Sequence, residues 1–178
     1  MLPTPRQAGF IIGNSLTHMP LTQLVEAFDE QVLAAAGVER GRVLGEYFLL
    51  ATAASLHAIE SAGLNPEAEN EAAAGLYDWM REQTNPKGSF LIENVETALE
   101  AYAQAVRDEQ VSPKAAGDFS EVELEFIERL LALGQENELR ARACCHLGAA
   151  APATLWEVIS ESAKSVLLDA QLGRAGGA

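Results

Sequence analysis

A histidine and a glutamate three residues apart on a helix stand one turn from each other, close enough to share a proton or to form half of a metal site. The chain offers one such pair, His57 and Glu60, in a segment that also carries Tyr47. A di-metal helical bundle needs Glu-x-x-His on two helices and two further glutamates. Here the order is reversed and occurs once. No metal or other cofactor is therefore expected. A core histidine with a satisfied hydrogen bond is the simpler reading. The functional alternative is a small-molecule pocket between helices, lined by Tyr47, His57 and Glu60.

The run Cys144-Cys145-His146 contains the only two cysteines. Successive residues of a helix point about 100° apart, so three neighbours cannot converge on one metal ion. Adjacent Cα atoms lie about 3.8 Å apart, shorter than the usual span of a disulfide. Two buried thiols are the expected outcome. Arg140 and Arg142 leave open one thiol of lowered pKa, and with it an enzyme pairing Cys144 or Cys145 with His57 or His146. The chain has no phosphate-binding glycine loop, no serine-hydrolase elbow and no H-E-x-x-H zinc motif. Gly9-x-x-x-Gly13-Asn14-Ser15 lacks the lysine that a P-loop requires. No catalytic residue is assigned, and the chain is expected not to be an enzyme.

Carboxylates are the most visible polar feature. Glu67, Glu69 and Glu71 form one group, and Glu121, Glu125 and Glu128 form another. The second set falls at i, i+4 and i+7, which places it on one helix face. Such a face keeps an acidic protein in solution, or it docks a basic peptide or protein surface.

These side chains must be carried by helices. All seven prolines fall where a helical pattern starts or stops, and none interrupts one. The periodicity predicts helices over residues 20–36, 42–62, 66–83, 89–110 and 120–133, a short one ending near 147, and a last one over 152–172. The second of these is apolar nearly all round from Tyr47 to Leu56, the mark of a central helix. Asn65 before Pro66, Ser120 with Glu123, and Gly37 and Gly63 read as caps. The fold class follows: all-α, one compact bundle of six or seven mostly antiparallel helices. Residues 1–18 form an N-terminal arm, 20–172 the bundle and 173–178 a flexible tail. Phe10-Ile11-Ile12 is the only stretch with a strand-like pattern.

One stretch resembles a known family. Asp118-Phe-Ser-Glu-Val-Glu-Leu-Glu-Phe126 is similar to the Pro-Asp-His-x-x-x-Glu-Leu-x-Phe signature of the redox-enzyme maturation chaperones of the TorD/DmsD type. Asp118, Glu123, Leu124 and Phe126 match; Gly117 stands for the proline and Phe119 for the histidine. That family's upstream motif rich in tyrosine and proline is missing. The resemblance implies an all-α chaperone that binds signal peptides of molybdoenzymes, with Asp118 at the peptide site.

Composition narrows the partners. The 178 residues carry 12 Lys+Arg against 26 Asp+Glu, a net charge of -14. Such a surface repels nucleic acid and anionic membranes. No stretch has the roughly 18 consecutive apolar residues of a membrane span. Without a signal-like start or a disulfide framework, a cytoplasmic location is expected. The first reading is a non-catalytic acidic helical protein that binds a protein or peptide with a basic surface through Asp118, Glu121, Glu125 and Glu128. The narrow apolar seam over Ile92, Val95, Leu99, Tyr102 and Val106 also leaves a homodimer open.

Overall fold

Eight helices account for most of residues 2–83, 88–111, 119–131 and 152–175, the part of the chain that the computed structural model describes. They are α1 (Pro5–Thr17), α2 (Leu21–Glu26), α3 (Glu30–Ala35), α4 (Arg40–Ser61), α5 (Pro66–Gln83), α6 (Gly88–Val111), α7 (Glu121–Leu131) and α8 (Pro152–Ala175). No strand is formed among the described residues. The architecture is an all-α bundle.

The centre is α4. Ala51, Ala53, Ala54 and Ala58 are all fully buried on it, and their small side chains let neighbours approach from several directions. Helices α1, α2, α5, α6, α7 and α8 all pack on it. Tyr47 and Leu50 are also fully buried there. The other helices also bury an apolar stripe each: Ala72, Leu76, Trp79 and Met80 on α5, and Val122, Phe126, Ile127 and Leu130 on α7. On α8 the buried stripe is Trp156, Ile159, Ala163, Leu167 and Ala170.

Local chemistry fixes the ends. The Asn65 side chain accepts from the Ala68 amide at 2.9 Å. Ser120 and Glu123 cap each other: the Glu123 amide donates to Ser120 Oγ at 3.1 Å, and the Ser120 amide donates to Glu123 Oε2 at 2.7 Å. After α3, Gly37 turns left-handed with φ 66°, so its own amide reaches the Ala34 carbonyl and the Val38 amide reaches Leu33. That is a Schellman stop, and it needs a residue without a Cβ penalty.

Three expectations differ from the structure. Residues 1–18 are not an arm: α1 lies among them, capped by Thr4 and Gln7, and packs on α5, α8 and α4. Phe10, Ile11 and Ile12 are therefore helical. Residues 20–36 are two helices rather than one, because Asp29 restarts the chain as an N-cap, its side chain accepting from the Gln31 amide at 2.7 Å. Helix α8 continues to Ala175, past the expected stop at 172. The proposed short helix ending near 147, with Cys144, Cys145 and His146, lies outside the described residues.

Candidate functional site

The acidic face of α7 meets α6. Glu121, Glu125 and Glu128 line a cleft of about 210 Å3, and Asp108 of α6 lines its other wall. Gln104, Ala101 and Ala105 of α6 complete that wall, while Leu124 belongs to α7. Small alanines on α6 leave the space, and the i, i+4, i+7 spacing on α7 lines it with carboxylates. Three of the four residues expected to bind a partner thus share one concavity. The fourth, Asp118, lies outside the described residues.

A buried polar cluster braces this cleft from behind. Glu46 of α4, 8% exposed, accepts two hydrogen bonds at the same oxygen, Oε1. Tyr102 of α6 donates its hydroxyl at 2.8 Å, and Arg129 of α7 donates Nε at 2.6 Å. The Arg129 guanidinium also lies over the Tyr102 ring, 5.6 Å from its centroid. Burial, and then the Glu46 carboxylate, hold the Tyr102 hydroxyl well above the usual phenol range. It stays protonated and donates. Burial works against the Arg129 charge, but Glu46 outweighs it and the guanidinium stays firmly cationic. Neither group is poised to give up a proton near neutral pH, so the cluster clamps α4, α6 and α7 together. Sequence reasoning placed Tyr102 in a stripe and passed over Glu46 and Arg129. The available signal was an acid inside the apolar face of the central helix, which must find a cation once buried.

Tyr47, His57 and Glu60 stand in three different settings along α4. Tyr47 is fully enclosed, its ring 4.6 Å from Phe126 and 6.3 Å from Phe28 by centroids. Burial pushes its hydroxyl far up. Glu60 is exposed, and partial burial with Glu69 of α5 raises its pKa. His57 lines a cavity, about 650 Å3 in volume, between α4, α6, α7 and α8. Its ring packs 5.4 Å from Trp156, and the cavity also takes in Glu109, Glu157, Ser160, Glu161 and Lys164. Half-burial lowers the His57 pKa, and Lys164 and Arg107 add to that effect. The imidazole is accordingly neutral at pH 7. Among the described residues, no group of three or more His, Cys, Asp or Glu side chains is arranged to hold a metal ion.

Comparison with protein-family models, with curated proteins and with solved structures finds no match for this chain. Of residues 118–126, Glu121–Phe126 forms the first turns of α7, preceded by its reciprocal Ser120–Glu123 cap. No helix among the described residues is long and apolar enough to cross a membrane.

Proposed function

We propose that this chain is a non-catalytic acidic helical protein that binds a protein or peptide with a basic surface, as an adaptor, regulator or chaperone. One observation carries the reading: Asp108, Glu121, Glu125 and Glu128, from two helices, converge on one cleft. Among the described residues the charged side chains that line it are all carboxylates, and a concentration of one sign in a cleft focuses its field and raises the encounter rate of the opposite charge. The clamp through Glu46 and Arg129 holds the cleft's two walls in register, so partner binding does not have to order them first.

Fluorescence anisotropy with labelled oligolysine and oligoarginine peptides tests this. Replacing Glu121, Glu125 and Glu128 together by glutamine should weaken binding at least tenfold. The same change at Glu67, Glu69 and Glu71 removes equal charge elsewhere and should weaken it far less. Equal losses in the two triple variants would assign binding to net charge alone and sink the cleft. A signal-peptide chaperone is the sharper form of this reading; a twin-arginine leader peptide bound in preference to oligoarginine would support it.

The cavity around His57 favours a second reading, a small-molecule binder. At about 650 Å3 it falls within the usual size of ligand sites, with an aromatic wall and a few polar groups. A metabolite screen by thermal shift, repeated on His57→Leu, checks it; no stabiliser, or one indifferent to the substitution, would remove it.

A further inference from the structure

Two glycines of α4 are unexplained by the fold. Gly41 and Gly45 are helical, have no positive φ, and a Cβ built on either would meet nothing within 4 Å. A glycine in a helix interior costs about 0.5–1 kcal/mol relative to alanine. Both line a groove of about 660 Å3 at the N-terminal end of α4, bordered by the end of α1, the start of α2 and Asn94 of α6. Its lining is mostly apolar, and Met19, Leu44, Phe48 and Leu49 stand only half-buried around it. From Gly45 to His57 is about 18 Å along the helix, at 1.5 Å per residue, so this groove is separate from the cavity at His57.

Charge identifies the occupant. In a protein with a net charge of -14, this groove is a local exception. Among the described residues its one carboxylate is Glu46, already matched by Arg129 at 2.6 Å and Tyr102 at 2.8 Å. Among the described residues its one cation is Arg42, which is exposed and enters no ion pair with them; its guanidinium donates to the Arg129 carbonyl at 3.2 Å. A ligand that satisfies the groove therefore has an apolar body and a single negative head. We propose that the groove binds a long-chain carboxylate, with its chain laid over Gly41 and Gly45 between Leu44 and Phe48 and its head paired with Arg42. A basic peptide is the wrong sign for Arg42, so this site is independent of the acidic cleft.

Isothermal titration of the full chain with dodecanoate, below its micelle concentration, tests the proposal. Saturable binding of one dodecanoate is expected. Gly45→Leu fills the groove with a good helix former; it should weaken binding at least tenfold while leaving the unfolding temperature unchanged or higher. Arg42→Gln should weaken dodecanoate severalfold and leave dodecanol unaffected. No saturable binding, or binding indifferent to Gly45→Leu, would overturn the site. Dodecyltrimethylammonium bound as tightly as dodecanoate would overturn the assignment of the head group. Self-association that Gly45→Leu abolishes, seen by sedimentation, would give the groove to a second copy of the chain instead.

Discussion

At the scale of single residues, Glu46 is the side chain whose neighbours matter most. It is buried, and its partners come from two other helices. Removing one partner of a buried pair costs more than removing both, because the survivor keeps its desolvation penalty without compensation. Arg129→Met should thus destabilise by about 3 kcal/mol. Glu46→Leu combined with Arg129→Met and Tyr102→Phe, which leaves no hydroxyl without its acceptor, should recover most of that loss in urea denaturation. A triple variant as unstable as the single one would refute the argument. His57 gives a pH signature. Its folded pKa lies below the ordinary 6.5, so below that pH the unfolded chain binds the proton more readily. Stability contributed by the neutral imidazole is present above 6.5 and is lost as the pH falls toward the folded value. Unfolding midpoints of the native chain and His57→Gln, compared from pH 7.5 to 5.5, should show the steeper fall in the native chain. Parallel curves would mean that His57 is not linked to folding.

At the scale of elements, the crossing of α1 and α5 explains a motif that looked unfinished. Gly9 and Gly13 lie in a run that lacks the lysine of a phosphate loop, within residues expected to form an arm. In the structure a Cβ on Gly9 would run into the Ala72 carbonyl oxygen, and one on Gly75 into that of Arg6. Gly13 lies under the Trp79 indole, where a Cβ would come within 2.5 Å of Cδ2. The propensity lost at these glycines is offset by the close approach of two backbones. Gly9→Ala and Gly75→Ala should each destabilise by about 3 kcal/mol, at the upper end for overpacking because the obstacle is backbone. Gly45→Ala, with open space around it, should stabilise by about 0.5–1 kcal/mol. Thermal unfolding of the three variants decides, and a loss at Gly45 equal to that at Gly9 would contradict the packing. The same contrast shows what was legible beforehand. Helices α4 to α8 could be read from their apolar periodicity, joined by a proline start in α5 and α8 and by a side-chain cap in α5 and α7. Helix α1 was hidden because its glycines answer to partners far along the chain, Ala72 and Trp79, although Thr4, Pro5 and Gln7 already spelled a capped start. The convergence of Glu121, Glu125 and Glu128 on one face was likewise local. Their meeting with Asp108, and that of Glu46 with Arg129, depends on how whole helices cross, which spacing along one helix does not encode.

At the scale of the whole molecule, 26 acidic side chains face 12 basic ones. Several of the cations are already committed: Arg6 to Asp78, Arg40 to Glu30, Arg81 to Asp78, Arg129 to Glu46 and Lys164 to Glu161. Pairing cannot neutralise the excess, so the folded chain repels itself. Added salt shortens the Debye length from about 30 Å at 0.01 M to about 3 Å at 1 M. That relieves repulsion spread over the bundle, and it equally screens a basic partner from the cleft. The two effects have opposite signs on the page of measurements: unfolding temperature should rise with sodium chloride between those limits while peptide affinity falls. The Glu67, Glu69 and Glu71 triple variant separates them further. It lowers net charge without touching the cleft, so its unfolding temperature should depend less on salt than that of the native chain, while its peptide affinity keeps the same salt slope. A salt slope for binding that drops in step with the slope for unfolding would mean that only the overall charge is felt. A slope preserved in binding and reduced in unfolding would locate recognition at Asp108, Glu121, Glu125 and Glu128.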